Sequence, residues 1–177
     1  MNASIEHAIW LLPRADQQAA LQQLVRELAP RHEGHLFEPH VTLQGDLPLA
    51  RGPASELVDR LAGSTSALQW PVQAVEGTEH YFRALYLRLT AGPAFDALCE
   101  QCVDASSYRE GLSPYAHMSL AYGPTRGDVT GLRSELARAW AGQTLVLDRV
   151  ALCRSGQAVP IEAWELLHVR PLAGAAV

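Results

Sequence analysis

The sequence predicts an α/β (α+β) chain of two similar halves, in which antiparallel-rich sheets form a central cleft and helices cover the outside. Three observations predict it. Segments that alternate apolar and polar residues interleave with segments of 3.6-residue apolar spacing. Their order reads β, α, β, α, β and then β, α, β, α, β, β, a loose internal repeat with little residue identity between the halves. The second strand of each half carries a histidine two residues before a hydroxyl: His40-Val41-Thr42-Leu43 and His117-Met118-Ser119-Leu120. The 177 residues suit one bilobal domain, with lobes of about 5–79 and 80–172 that are free to exchange terminal strands.

Each element has its own signal. Residues 5–12 read as a buried strand ended by Pro13. A helix follows, with Asp16 as its N-cap, Ala20, Leu21, Leu24, Val25, Leu28 and Ala29 on one face, and Pro30 as its stop. After the first histidine strand, Pro53 starts a helix that shows Ala54, Leu57, Val58 and Leu61 and stops near Gly63. Residues 68–78 read as a strand, placed at a sheet edge by Pro71, and residues 81–90 as a well-alternating strand. Pro93 opens a helix whose stripe is Phe95, Leu98, Cys99, Cys102 and Val103, so its Cys-x-x-Cys reads as two small core residues. A polar loop, 106–115, leads to the second histidine strand. A helix over about 128–141 and strands over 145–153 and 163–169 complete the chain, the last two joined as a hairpin. Residues 172–177 carry no structural signal.

Bulk properties narrow the function. A net charge of −5, with all fourteen basic residues arginine, makes a long nucleic acid a poor partner, because such binding rests on phosphate neutralisation. The missing lysine excludes lysine-based chemistry. Three cysteines do not make a disulfide framework, and no apolar run is long enough to span a membrane or to serve as a signal peptide. The expectation is a cytoplasmic monomer acting on a small ligand, with no cofactor and no metal.

Residues i and i+2 of a strand face the same way. His40 and Thr42 therefore share one face, with Val41 and Leu43 buried behind them, and His117 and Ser119 share another, backed by Met118 and Leu120. None of His7, His32, His35, His80 or His168 has this pattern. Two imidazoles facing across a groove are what an in-line displacement at phosphorus needs, one as proton acceptor and one as donor, while Thr42 and Ser119 can donate to non-bridging oxygens. The plainer alternative is a pair of strand histidines satisfied by their neighbouring hydroxyls.

At these motifs the chain resembles the 2H phosphoesterase superfamily, marked by two His-x-Thr/Ser-hydrophobic motifs on a duplicated bilobal α/β fold. Within it, the chain is most similar to the plant and fungal-type cyclic phosphodiesterases. The likeness extends through Ile9-Trp10-Leu11-Leu12-Pro13, Phe37-Glu38-Pro39, Pro114-Tyr115-Ala116, Ala121-Tyr122-Gly123, residues 147–153 and Trp164-Glu165. It implies a metal-independent hydrolysis of small cyclic phosphodiesters, 2′,3′-cyclic nucleotides or ADP-ribose 1″,2″-cyclic phosphate, to phosphomonoesters. His117 is then the general base on water, His40 the general acid to the leaving oxygen, and Thr42, Ser119 and Tyr122 the phosphate contacts. Tyr122, five residues after His117, reaches the site only if the strand twists or ends near it; otherwise it is a core aromatic. Trp10 is either a platform for a base or a buried strand residue. Phe37, Tyr115 and Trp164 are weaker platforms, and Arg83 and Arg109 are either contacts to a second phosphate or, the better reading for each, solvated surface. The chain departs from the plant pattern at Arg83-Ala84 and in the loop 104–113. Two other functions compete: a 2′-5′ RNA ligase or RNA end-processing enzyme, and a non-catalytic protein that binds nucleotides or RNA ends.

Overall fold

The computed structural model describes residues 6–174. Seven strands and four helices alternate along the chain: β1 (His7–Pro13), α1 (Ala15–Leu28), β2 (Val41–Leu47), α2 (Arg51–Ser64), β3 (Leu68–Glu76), β4 (Leu85–Leu89), α3 (Pro93–Ser106), β5 (His117–Ala121), α4 (Val129–Trp140), β6 (Thr144–Arg154) and β7 (Glu165–Pro171). All strand pairings are antiparallel, in the order β2-β1-β6-β3-β4-β5, with β7 on β6. The fold is α+β.

The strand β3 joins two halves. Its first residues, Leu68 to Pro71, pair with β6, and the rest, from Val72, pairs with β4. Although β6 and β7 come last in sequence, β6 pairs with β1 from Leu147 to Arg154 and with β7 from Arg149 to Arg154. They therefore lie beside β1 and β2, with which they form one half. The ends of the path, β2 and β5, also touch each other, so the sheet curls until the two histidine strands meet. The helices cross between halves as well: α1 packs on β5 and α3 packs on β2.

Apolar spacing explains each helix. Leu21, Val25 and Leu28 of α1 are buried, as are Ala54, Leu57, Val58 and Leu61 of α2, and Leu132 and Leu136 of α4. The α3 stripe is buried as its spacing predicts, with Cys99 and Cys102 both free thiols whose burial pushes each up to about 12. Behind the histidine motifs, Val41, Leu43, Met118 and Leu120 are all 0% exposed in one core shared by both halves. Each such side chain contributes roughly 1.5–3 kcal/mol of burial.

Several local expectations are corrected. Asp16 is not the cap of α1; Arg14 takes that position, and Asp16 lies in the first turn with its carboxylate 2.7 Å from Arg14 Nε. As expected, α1 ends just ahead of Pro30, at Leu28, and Pro30 lies in a short 3-10 turn that follows. The second helix, α2, stops at Ser64, one residue past Gly63 and so near the expected stop. Pro71 is in a central strand, because its carbonyl takes the Thr90 N–H just past β4 and its absent N–H falls where that pairing runs out. Residues Tyr81–Arg83 form a 3-10 turn, not a strand. Here Thr78 donates from both its backbone N (2.9 Å) and its hydroxyl (3.0 Å) to the Arg83 carbonyl, closing a loop that a continuous strand would break. Leu172 is 2% exposed, with its N–H on Asp148 O, and Ala173 donates to Thr65 O, so these two residues are packed. Ile5 and residues 175–177 lie outside the described residues.

Candidate active site

Both histidines are positioned by the same local device. The chain enters β2 through Glu38-Pro39 and β5 through Tyr115-Ala116, and each imidazole turns back on the residue two positions earlier. His40 Nδ1 donates to Glu38 O, and His117 Nδ1 donates to Tyr115 O at 3.0 Å. Ser113 Oγ is also 3.3 Å from His117 Nδ1. A carbonyl only accepts, so Nδ1 carries the proton and Nε2 is the acceptor nitrogen of each neutral ring. Among the described residues, Nε2 of neither ring bonds to the protein, which leaves it available to a ligand.

The two rings line one cleft of about 260 Å³ together with Trp10, Thr42, Ser119 and Tyr122. All six residues expected at the site are thus brought together. Burial lowers His40 to about 3, opposed by its bond to Glu38 O and assisted by the nearby His117. Burial also lowers His117 to about 4, opposed by its bond to Tyr115 O and assisted by Arg83, Arg88 and His80. At neutral pH both rings are therefore neutral before an anion arrives.

The surrounding residues divide by role. Trp10 stacks on the His40 ring, with centroids 3.5 Å apart and planes 7° from parallel. At 3% exposed it has no open face for a base. This corrects the platform reading: Trp10 is the floor beneath His40. Ser119 Oγ donates to Phe82 O at 2.8 Å, so its hydroxyl must turn to reach a phosphate. The strand β5 ends at Ala121, and the turn at Gly123 (φ 77°) frees Tyr122 from strand parity, so that it lines the cleft. Its ring also packs on Phe37, 4.0 Å between centroids, and burial raises its hydroxyl while Ser119 acts to lower it. Tyr122 is both core aromatic and cleft wall.

Other wall residues, all but one of them missed by sequence reasoning, come from three segments. Phe82 and Arg83 enter from the 3-10 turn, Gly111 to Pro114 from the long loop, and Ser155 to Gln157 from the β6–β7 connection. Of these, the sequence singles out only Arg83, as a second-phosphate contact weighed against solvated surface, and the structure places it in the cleft lining. Behind His117, Tyr115 OH donates to Tyr86 OH (2.9 Å), which donates to Glu76 Oε2 (2.8 Å). Arg109 pairs with Glu100 at 2.6 Å, as a surface residue should. Among the described residues, no group of three or more His, Cys, Asp or Glu side chains is placed to hold a metal ion.

A sequence model of the 2′-5′ RNA ligase superfamily matches residues 13–158. The chain belongs to this superfamily, the 2H phosphoesterases. Membership places it among enzymes of phosphoesterase or ligase type. No curated protein matches it in sequence. Solved structures share its fold. TT0787 of Thermus thermophilus is 18% identical, with 96% of this chain and 99% of that one covered at a TM-score of 0.60. The E. coli LigT complexed with phosphate is 12% identical, covering 94% and 96% at 0.57. The E. coli LigT complexed with 3′-AMP is 14% identical, covering 94% and 97% at 0.55. Among the described residues, no helix of this 2H phosphoesterase is long and apolar enough to cross a membrane.

Proposed function

We propose that the protein hydrolyses small cyclic phosphodiesters, 2′,3′-cyclic nucleotides or ADP-ribose 1″,2″-cyclic phosphate, to phosphomonoesters without a metal. The observation that carries this reading is the matched pair of imidazoles in one cleft, each with Nδ1 committed to a carbonyl and Nε2 available. In the proposed step, His117 Nε2 takes a proton from water as its oxygen attacks phosphorus. The P–O bond to the leaving ribose oxygen breaks, and His40 Nε2–H protonates that oxygen. One proton enters and one leaves, so the pair resets by exchange with solvent.

In the free protein burial holds His40 lower than His117, about 3 against about 4, so this assignment of roles requires the bound anion to favour protonation of His40. His117 lies near Arg83 and Arg88, whose charge opposes its protonation. His40 lies flat on Trp10, and an indole face favours the imidazolium form. The bound phosphate anion supplies the rest of the stabilisation that protonated His40 needs. Thr42 and Ser119 line the same cleft and can donate to its non-bridging oxygens, Ser119 once its hydroxyl turns from the Phe82 carbonyl.

Family membership favours a second reading, a 2′-5′ RNA ligase or end-processing enzyme, since the same acid–base pair can run the reaction in reverse. A panel of cyclic phosphates in chelator, with products identified by phosphorus NMR, tests the first reading. The expected result is a single phosphomonoester regioisomer and a KM that changes little with salt. A strong salt dependence with activity confined to RNA ends would favour the second. Nucleotide binding without turnover would identify a non-catalytic binder.

A further inference from the structure

The arginines of this protein fall into two groups. Arg14, Arg88, Arg109, Arg149, Arg154 and Arg170 each have a carboxylate within 4.0 Å. Of those without one among the described residues, only Arg83 lines the cleft. Its Nε is buried with no hydrogen-bond partner. A buried guanidinium N–H without an acceptor is costly, and folded proteins retain few such groups. The nearest aromatic face does not replace the acceptor: Arg83 Cζ is 5.9 Å from the Tyr115 centroid, at the limit of a cation–π contact. Arg88, by contrast, lies 3.6 Å over the same ring and 4.0 Å from Glu76.

The position of Arg83 relative to the histidines is informative. The Tyr115 ring it approaches is itself 5.4 Å from the His117 ring. His80 also lines the cleft, and its protonation is opposed first by burial and then by Arg83. A neutral imidazole and a guanidinium with an unused donor thus stand side by side, next to the reacting centre. A cyclic phosphodiester carries a single negative charge, already faced by two imidazoles and two hydroxyls. A terminal phosphate ester carries nearly two charges and matches the guanidinium fork.

We propose that Arg83, with His80 beside it, binds a second phosphate of the substrate, one that does not react. The substrate class is then a cyclic phosphodiester that bears a further phosphate ester. This inference rests on the cyclic phosphodiesterase reading for its reaction, but not for its binding site.

The test compares kcat/KM for adenosine 2′,3′-cyclic phosphate with and without a 5′-phosphate, in the wild type, Arg83→Gln and Arg83→Lys. The wild type is expected to prefer the 5′-phosphorylated form by about tenfold or more, the scale of one charge-assisted hydrogen bond. Arg83→Gln should bring the ratio of the two substrates to near one, and Arg83→Lys should keep part of it. No preference in the wild type, or an equal loss on both substrates, would overturn the proposal; the second outcome would put Arg83 on the reacting phosphate. Calorimetric binding of adenosine 3′,5′-bisphosphate against 3′-AMP separates the two claims, since it needs no turnover. Tighter binding of the bisphosphate through Arg83 without hydrolysis would remove the reaction and keep the subsite. Hydrolysis without discrimination would do the reverse.

Discussion

His40 and His117 each commit Nδ1 to a carbonyl two residues earlier, so ring orientation is set by the backbone at the strand entrance. This makes the tautomer a property of the fold, and Nε2 the atom of interest in both rings. His40→Ala and His117→Ala should each lower kcat by about 10²–10⁴, the scale of general acid–base catalysis. Near wild-type turnover in either variant would exclude the two-imidazole mechanism. The lowered values, about 3 for His40 and about 4 for His117, also fix a pH dependence. The reactive form needs one protonated ring, and in the free enzyme that form grows as pH falls. We expect kcat/KM to rise as pH drops from about 8 to about 6, since this parameter reports the free enzyme. A profile that climbs with pH over that range would contradict the assignment of an imidazolium acid.

At the scale of elements, the long loop between α3 and β5 is clasped to β2. Gly45 N–H donates to Gly111 O at 2.7 Å, Ser113 N–H donates to Leu43 O at 3.2 Å, and Gln44 bridges Leu112. The approach is so close that a Cβ on Gly111 would lie 1.8 Å from Gly45 O. Gly111→Ala must therefore push the loop off β2. It carries Ser113, which touches His117, and Pro114 of the cleft wall. The expected outcome is a kcat/KM loss of about tenfold or more, since displacements near 1 Å at a site can cost up to about a hundredfold. Cyclic phosphate kinetics with circular dichroism would check it. Full activity would show that the clasp does not position the site.

Across the whole molecule, two neutral imidazoles, His40 buried and His117 half-buried, sit where the curled sheet brings its ends together. Unfolding returns them to an ordinary value near 6.5, above their folded values. The unfolded chain then binds more protons than the folded one below about pH 6.5, so this contribution to stability is complete above that pH and is lost as pH falls toward the folded values. Tm should therefore drop on acidification from pH 7 to pH 5. Phosphate, which favours a protonated ring, should raise Tm by more at pH 5.5 than at pH 8. Thermal melts with and without inorganic phosphate would measure both effects, and a phosphate shift independent of pH would count against protonation on binding.

The sequence by itself determined the strand and helix periodicities, the repeated element order and the His-x-hydroxyl pairs. These are local patterns, and burial of one face enforces them wherever the chain packs. It determined that Val41, Leu43, Met118 and Leu120 face inward, and that Cys99 and Cys102 are core residues. Only the tertiary structure decided that β2 and β5, at opposite ends of the sheet, meet in one cleft. It likewise turned Tyr81–Arg83 into a turn, because Thr78 captures the Arg83 carbonyl, and so brought Arg83 to the cleft. It gave Trp10 to His40 rather than to a base. Such outcomes depend on partners distant in the chain, and residue spacing carries no information about which distant groups will compete for a given face or carbonyl.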